Sequence, residues 1–509
     1  MLKAKIILDR DFALARIDRR MFGSFVEHVG RAVYGGIYEP GHPSAGPDGM
    51  RGDVLALTKE LGVSVVRYPG GNFVSGFNWE DSVGPREARP SRLSLAWSTI
   101  ESNEVGLHEF AGWTRQAGCE IMYAVNLGTR GVEDARNIVE YANHPGGSRY
   151  SDMRRKNGAQ RPFDIGLWCL GNEMDAPWQM GEKTPEAYGL LANEAAKVMK
   201  MVDPHIEVIA CGSSSPLPQF GRWELGVLDH CYENVDYLSV HRYHLREEGM
   251  TTGEYLAQAG DLDTYIRQVI AICDAVGAKR RSRKTMMLSF DEWNVWYHSR
   301  NEDEKLRRTR PWQKTLPLLE DVYTFEDALM VGSMFMTLLR HADRIKIACL
   351  AQLVNVIAPI MTRDGGPAWR QTIFWPFYHL SRYARGVVLQ KCGVCETCDA
   401  GRYGTIEALD VLPVMTDEGG VNLFIVNRAE EAVELSLDMR AFGEMYASKH
   451  IEMTATHLGD VNEETEPARV FPHFKAAPAG NTVKIEKLSW NVIQFMKREM
   501  QDADSKSSD

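Results

Sequence analysis

The sequence lacks any long apolar stretch. No run reaches the length of about 18 apolar residues that a membrane-spanning helix needs. The N-terminal segment Met1–Arg10 is interrupted by charged side chains, so it also lacks the apolar core of a signal peptide. We therefore expect a cytoplasmic protein without a membrane partner.

An excess of basic charge is missing too. Lysine and arginine together number 58 against 69 aspartate and glutamate residues, which gives a net charge of −11. This balance argues against a nucleic-acid partner or an anionic membrane surface. It fits a protein that binds a neutral small molecule or a glycan.

Cysteine is scarce, with nine residues scattered through 509 positions. An odd number at irregular spacing indicates reduced thiols and not a disulfide framework. The one close group is Cys392, Cys395 and Cys398, a spacing that can ligate zinc if a fourth ligand such as Asp399 or His379 is near. We prefer free thiols, and whether these three bind a metal stays open.

The chain does contain a regular alternation of strands and helices. At 509 residues with 44% hydrophobic residues, it exceeds one ordinary core, so at least two domains are expected. Helix-like segments separate eight short, β-branched-rich runs, which predicts a (β/α)₈ barrel. The open doubly wound sheet is the alternative, but the glycine-rich phosphate loop typical of it is absent. The eight predicted strands are Phe22–Glu27, Val63–Tyr68, Ile121–Asn126, Ile165–Leu170, Ile206–Ala210, Tyr237–His241, Met286–Phe290 and Ile345–Leu350. The main predicted helices are Val132–Asn143, Pro185–Val202, Tyr255–Ala275 and Phe325–Arg340.

After about Val387 short alternating stretches separated by turns replace the helical periodicity. This pattern of short alternating stretches predicts a C-terminal β-sandwich of the jelly-roll type. Its predicted strands are Tyr403–Val411, Gly420–Asn427, Ala432–Leu437, Ile451–His457 and Thr482–Phe495. The strand-like piece Lys5–Ile17 comes before the barrel and is free to join that sandwich. We assign residues 1–17 to this N-terminal strand, 18–386 to the barrel, 387–500 to the sandwich and 501–509 to a disordered tail.

Two glutamates follow predicted barrel strands, where the catalytic groups of such barrels lie. The fourth strand leads into Gly171-Asn172-Glu173-Met174-Asp175, and the seventh leads into Asp291-Glu292-Trp293-Asn294. A pair of carboxyl groups facing each other across a sugar is what glycoside cleavage requires. Glutamate at a strand end is common, so either residue alone would equally suit a helix cap or a salt bridge. The pair on strands four and seven favours catalysis.

These segments resemble the motifs of glycoside hydrolase family 51. The resemblance also covers Tyr68–Trp79, Trp97–Asn103, His241–Tyr243 and Pro317–Asp321, and so extends over nearly the whole barrel. It implies a retaining α-L-arabinofuranosidase with Glu173 as acid/base and Glu292 as nucleophile, acting on arabinose-containing oligosaccharides without a metal or other cofactor. It further implies a homo-oligomer, often a hexamer.

The resemblance also implies a ring of residues around the terminal sugar: Glu27, Asn72, Asn172, Tyr243 and Gln352. The residue types agree with this, because a furanose presents several hydroxyls that need acceptors and two-sided amides. Asn172 is suited to the 2-hydroxyl, and Tyr243 is suited to orient the nucleophile by donating a hydrogen bond to it. A polar loop residue satisfied by its own neighbours is the alternative for each.

Four tryptophans, Trp97, Trp178, Trp296 and Trp312, fall in loops predicted near the mouth of the barrel. Indole rings stack on the C–H faces of sugars, so these residues are candidate walls of the sugar site. Packing of loops against one another is the alternative, and Trp97 is the preferred wall.

Two other functions remain open at this stage. The same carboxylates would serve a xylosidase or a β-glucanase, because they do not distinguish a furanose from a pyranose. A non-catalytic carbohydrate-binding barrel is the third possibility, although both carboxylates are retained. The charged stretches His244–Met250 and Arg307–Arg310 leave the aglycone preference open, since a basic loop suits acidic polysaccharides, a subunit contact or plain solvation.

Overall fold

The structure, a computed structural model, describes residues 1–498. Residues 501–509, for which we predicted disorder, lie outside this range. No helix among residues 1–498 is both long enough and apolar enough to cross a membrane.

Eight parallel strands close into a barrel, in the order β3-β4-β7-β8-β9-β10-β11-β12 and back to β3. Two N-terminal strands precede the barrel strands, and a hairpin, β5 with β6, lies in a loop. These twelve strands are β1 (Leu2–Ile7), β2 (Ala13–Arg16), β3 (Gly23–Phe25), β4 (Val65–Tyr68), β5 (Arg92–Ser94), β6 (Thr99–Glu101), β7 (Glu120–Ala124), β8 (Leu167–Leu170), β9 (Glu207–Cys211), β10 (Tyr237–His244), β11 (Met287–Val295) and β12 (Ile345–Leu350). The predicted barrel is confirmed, and its closure excludes the open sheet.

Ten α-helices accompany the barrel. They are α1 (Gly52–Leu61), α2 (Leu107–Ala117), α3 (Val132–Asn143), α4 (Arg149–Lys156), α5 (Pro185–Val202), α6 (Arg222–Cys231), α7 (Thr252–Arg280), α8 (Arg300–Thr309), α9 (Phe325–Arg340) and α10 (Phe374–Tyr383). The helix predicted over Tyr255–Ala275 is α7, and those bounds were too short. It begins earlier because Thr251 and Glu254 form a capping box, and it ends where Arg281 takes a left-handed conformation.

The remaining strands form a small hairpin and the C-terminal domain. They are β13 (Ile360–Thr362), β14 (Ala368–Arg370), β15 (Val387–Leu389), β16 (Cys392–Cys395), β17 (Thr397–Asp399), β18 (Thr405–Glu407), β19 (Leu409–Met415), β20 (Val421–Asn427), β21 (Val433–Asp438), β22 (Met445–Met453), β23 (His473–Lys475), β24 (Thr482–Ile485) and β25 (Ser489–Lys497). A seven-stranded sheet has the order β2-β15-β19-β20-β25-β22-β23, and a four-stranded sheet has the order β16-β1-β21-β24. The strand-rich C-terminal domain that we predicted is thus present.

Four predicted strands differ in detail, and one of them, Tyr403–Val411, is split between β18 and β19, which belong to different sheets. The piece Lys5–Ile17 is two strands, because a turn at Asp9–Phe12 sends β1 into one sheet and β2 into the other. The strand predicted over Ile451–His457 is β22, which starts at Met445 and ends at Met453. The piece Thr482–Phe495 is broken between β24 and β25, where Leu488 has a φ of +43°. The predicted domain boundaries at residues 17 and 386 stay a prediction.

Strand β20, near the centre of the seven-stranded sheet, is buried on both faces. In β20, Leu423 and Ile425 point into a core shared with the four-stranded sheet. Their neighbours Phe424 and Val426 point the other way, into the large core that includes the barrel. Because side chains alternate along a strand, one sheet packs on two partners, and this fixes the sandwich against the barrel.

Candidate active site

A cavity of about 820 Å³ opens where the barrel strands end. Nine of the ten sequence-predicted site residues line it: Glu27, Asn72, Trp97, Glu173, Trp178, Tyr243, Glu292, Trp296 and Gln352. Asn172, the tenth, is buried and donates to Asn72 at 3.3 Å. Trp312 is not among the residues that line the cavity, but its backbone N–H donates to the carbonyl of Ser98, which does line it. Its place as a wall of the sugar site stays a prediction.

The two predicted catalytic carboxylates face each other inside this cavity. Glu292 lies within β11, and Glu173 follows β8 by three residues. One carboxylate oxygen of each lies within 4.8 Å of the other. Carboxyl groups of retaining glycosidases stand about 5–5.5 Å apart, whereas those of inverting enzymes stand at least about 6.5 Å apart. The observed spacing fits the retaining class.

Three groups hold Glu292. The Arg67 guanidinium donates to Oε1 at 2.5 Å, and the Tyr243 hydroxyl donates to Oε2 at 2.9 Å. His241 Nδ1 lies 3.7 Å from Oε2. Burial raises the pKa of Glu292, and the positive charges on His241 and Arg67 counteract that rise. The donors therefore favour the ionised form, which a nucleophile needs.

Glu173 has its own set of partners. His241 Nδ1 lies 3.0 Å from Oε1, and Trp178 Nε1 donates to Oε2 at 2.7 Å. The backbone of Glu173 has a φ of +44°, in the left-handed region that residues other than glycine seldom adopt. Such a conformation costs about 1 kcal/mol, and it aims this carboxyl group across the cavity at Glu292.

His241 lies between the two carboxylates. Burial opposes its positive charge, but Glu292, Asp291 and Glu173 outweigh that effect and raise the pKa of His241 to about 10. Among residues 1–498, Glu173, His241 and Glu292 are the one group of His, Cys, Asp or Glu side chains arranged closely enough to hold an ion. In this structure His241 joins the two glutamates, with its Nδ1 lying 3.0 Å from Glu173 and 3.7 Å from Glu292.

Asp291 is a further buried carboxylate in contact with this group. It accepts from Ser239 Oγ at 2.5 Å and forms ion pairs with Arg67 at 3.2 Å and His241 at 3.6 Å. Burial opposes its ionisation, but Arg67, His241 and Ser239 hold its pKa below the usual value. Asp291 therefore supplies a fixed negative charge that balances Arg67 and His241.

Glu27 and Gln352 form one wall of the cavity. Glu27 Oε1 accepts from the Phe73 backbone N–H at 2.8 Å and from Trp97 Nε1 at 2.9 Å. Gln352 donates to the other oxygen at 3.3 Å, and its own Oε1 accepts from the Glu27 N–H at 3.0 Å. Burial, with a contribution from Glu292, raises the pKa of Glu27 to about 7. These hydrogen bonds hold the two side chains together, and their carboxylate and amide groups line the cavity.

Sequence reasoning did not identify Arg67, and it included His241 as part of the motif His241–Tyr243, without a catalytic role. Arg67 ties the site together, since it also donates to Asn172 Oδ1 at 2.8 Å. The available signal was a charged residue inside the apolar run Val65–Tyr68, where a buried arginine needs partners.

The three clustered cysteines lie far from this chemistry. Cys392 and Cys395 belong to β16, which pairs with β1, and Cys398 belongs to β17. All three are free thiols, and His379, weighed as a fourth ligand, accepts instead from Trp490 Nε1 at 3.0 Å.

Two family models match the chain. An α-L-arabinofuranosidase 1 domain matches residues 57–267, and an α-L-arabinofuranosidase C-terminal domain matches residues 291–489. The chain is 51% identical over 505 residues to an intracellular exo-α-(1→5)-L-arabinofuranosidase of Acetivibrio thermocellus, covering 98% of this chain and 100% of the relative. It is 49% identical over 437 residues to an exo-α-(1→6)-L-arabinofuranosidase of Bifidobacterium longum, covering 84% of each.

Solved structures agree with these matches. A family 51 α-L-arabinofuranosidase from Bifidobacterium longum superposes with a TM-score of 0.93 at 42% identity, covering 97% of this chain and 100% of that one. An arabinose complex of the Thermotoga maritima α-L-arabinofuranosidase superposes with a TM-score of 0.85 at 28% identity, covering 97% and 99%.

Proposed function

The chain is a member of glycoside hydrolase family 51, and we propose that it removes terminal α-L-arabinofuranosyl residues by double displacement with retention. The observation that carries the mechanism is the approach of the Glu173 and Glu292 carboxylates to within 4.8 Å. An inverting enzyme needs a wider separation, because a water molecule must fit between the second carboxylate and the sugar ring. The observed separation is too short for that water.

In the first step Glu292 attacks the anomeric carbon while Glu173 gives its proton to the departing glycosidic oxygen. The C–O bond to the aglycone breaks, and an ester bond to Glu292 forms. In the second step Glu173 takes a proton from water, whose oxygen displaces Glu292 and releases arabinose. Arg67 and Tyr243 hold the Glu292 carboxylate in place through both steps.

The wall of Glu27, Gln352 and Trp97 supports an exo mode of action. Gln352 and Trp97 each donate a hydrogen bond to the Glu27 carboxylate, so the three side chains form one side of the cavity. We propose that Glu27, Asn72, Asn172 and Gln352 bind the hydroxyls of a terminal furanose, with Trp97, Trp178 and Trp296 as aromatic walls. Relatives that are 51% to 53% identical over nearly the whole chain are named for arabinofuranosides, which supports the furanose over a pyranose.

The linkage is proposed to be α-(1→5). Relatives that are 51%, 53% and 51% identical carry that linkage in their names, although one that is 49% identical carries α-(1→6). Rates on the two arabinobioses, measured side by side, decide between them. The names also describe intracellular enzymes, which supports an intracellular location for this chain.

Azide rescue tests the two roles separately. In Glu173→Ala, azide should intercept the covalent intermediate and yield the α-arabinofuranosyl azide. In Glu292→Gly, azide should take the place of the missing carboxylate and yield the β-azide by a single inversion. Product configurations are read by proton NMR. The same azide from both variants, or inverted arabinose from the unmodified protein, would contradict the assignment.

Homo-oligomerisation, possibly to a hexamer, is a further proposal that the family resemblance motivates. Sedimentation velocity at several protein concentrations tests it, and a monomer at all of them would refute it.

A further inference from the structure

Helix α8 lies along the outer part of the catalytic cavity. Its cavity-lining residues are Arg300, Asp303, Glu304, Arg307 and Arg308. These positions are spaced by three, four, seven and eight, so they form a single face of the helix. The volume of about 820 Å³ exceeds what one pentose fills, and this face borders the space left for the aglycone.

Two arginines on this face rest on aromatic rings. The guanidinium carbon of Arg300 lies 4.5 Å from the ring centroid of Trp296, and that of Arg307 lies 5.8 Å from the ring centroid of Trp97. Arg307 also donates to the Ala96 carbonyl at 3.0 Å. A guanidinium stacked in this way keeps edge N–H groups available for a planar anion.

The acidic residues of the same face already have partners. Glu304 pairs with Arg308, and Asp303 accepts from the Leu319 backbone N–H and the Ser299 hydroxyl. Asp321 is the acid whose charge acts on Arg300, but its oxygens accept the backbone N–H groups of Tyr297, His298 and Ser299.

Arg300 and Arg307 therefore remain without an anion. Within residues 1–498, neither has a carboxylate oxygen closer than 4.0 Å. The catalytic carboxylates deeper in the cavity are balanced by Arg67 and His241. Arg300 and Arg307 thus line the outer part of the cavity without a direct carboxylate partner, so their guanidinium N–H groups are free to bind an anion.

We propose that this helix face is an aglycone subsite that selects arabinosides whose leaving group carries a carboxylate, namely a uronosyl residue. The planar carboxylate of a uronate matches the fork of a guanidinium, which can donate two parallel hydrogen bonds to it. The inference rests on the proposed exo-arabinofuranosidase activity and assigns its leaving-group preference.

Two aryl α-L-arabinofuranosides of nearly the same shape test the proposal: the 4-carboxyphenyl glycoside, which is anionic, and the 4-carbamoylphenyl glycoside, which is neutral. The measured quantity is the ratio of their kcat/KM values. In each of Arg300→Ala and Arg307→Ala this ratio should fall about fivefold, and in the double variant by more. The ratio does not depend on how much of a preparation is folded, because both substrates meet the same enzyme.

Arg310→Ala is the matched control, since Arg310 is a neighbouring exposed arginine that does not line the cavity. Its ratio should equal that of the unmodified protein. A second measurement compares inhibition by D-glucuronate with inhibition by D-glucose: only the glucuronate inhibition constant should rise in the double variant.

Three outcomes overturn the proposal: a ratio unchanged in both arginine variants, an equal fall in Arg310→Ala, or a glucuronate inhibition constant that does not change. Failure of the underlying activity is distinguishable, because the unmodified protein would then hydrolyse neither aryl arabinoside.

Discussion

At the scale of single residues, Arg67 joins three buried groups of the candidate active site. It contacts the proposed nucleophile Glu292, the sugar-binding candidate Asn172 and the buried Asp291. All three partners are almost fully buried, so water cannot replace the guanidinium if it is lost. Arg67 therefore serves both stability and the positioning of the nucleophile.

We expect Arg67→Met to destabilise the protein by about 3–5 kcal/mol, because it leaves Asp291 and Glu292 charged and buried without their partner. Its kcat should fall by at least about 100-fold, since Glu292 loses both charge balance and orientation. Arg67→Lys is the control. Lysine restores the charge and part of the thermal stability but not kcat, because a single ammonium lacks the fork that reaches all three partners. Full kcat in Arg67→Lys would show that charge alone matters.

His241 predicts a pH dependence of stability. Its pKa in the folded protein is about 10, above the ordinary value of 6.5. Protonated His241 thus contributes stability that is fully present below about pH 6.5 and is lost as pH rises through about 10. The difference in denaturation midpoint between the unmodified protein and His241→Asn should shrink over that window. His205→Asn, which removes an exposed histidine, controls for substitution as such; a constant difference for His241→Asn would contradict the prediction.

At the scale of elements, strand β11 explains how two neighbouring carboxylates reach the same arginine. Consecutive side chains on a regular strand point to opposite faces. The pairing of β11 with β12 shifts register between Phe290 and Trp293, and its pairing with β10 shifts between Ser239 and His241. These irregularities occur at Asp291 and Glu292 and let both contact Arg67, as bulges beside active sites commonly do.

Helix α8 offers a prediction at the same scale, because it is held by few groups. Leu306 and Asp303 are its buried residues, and Asp303 bonds to the Leu319 N–H and the Ser299 hydroxyl, each at 2.8 Å. Asp303→Ala should weaken the docking of α8 by about 1–2 kcal/mol, since it removes both acceptors. Hydrogen exchange across residues 300–309 should then be faster, as mass spectrometry would show. Glu302→Ala, an exposed change on the same helix, should leave exchange unchanged; no difference between the two variants would refute the anchoring role.

At the scale of the whole molecule, the barrel and the sandwich share one core. Trp490 of β25 is fully buried, and its indole packs so closely on Gly332 of α9 that an added Cβ would stand 2.7 Å from the ring. It also donates to His379 of α10. The two units therefore meet through close packing and not through a solvated linker.

Trp490→Ala should cost about 3–5 kcal/mol by leaving a cavity at this junction. Because the barrel loses its packing partner, the temperature at which activity is lost should fall together with the midpoint measured by circular dichroism. Trp490→Phe, which leaves a smaller cavity, should show a smaller shift in both. If the circular-dichroism midpoint fell while activity was retained up to the original temperature, the barrel would be stable without its packing against the sandwich, and the prediction would be contradicted.

Much of the fold was predictable from the sequence because local patterns encode it. The eight barrel strands and the helices α3, α5 and α9 follow from apolar periodicity and from caps such as Thr184 and Thr324. The glutamates Glu173 and Glu292 follow from their places after or within strands, aided by a family resemblance that no periodicity supplies.

Other features were decided only by the tertiary structure. The role of Arg67 depends on partners 105 and 225 residues away along the chain, and the charge on His241 depends on carboxylates from two other strands. The burial of β20 on both faces depends on which sheets lie on either side of it. The sequence alone determined which segments are strands and helices and which acids are available for catalysis, because those properties are local. Register shifts, buried charge pairs and the two-sided sheet required the folded chain, because each arises from contacts between residues that sequence spacing does not relate.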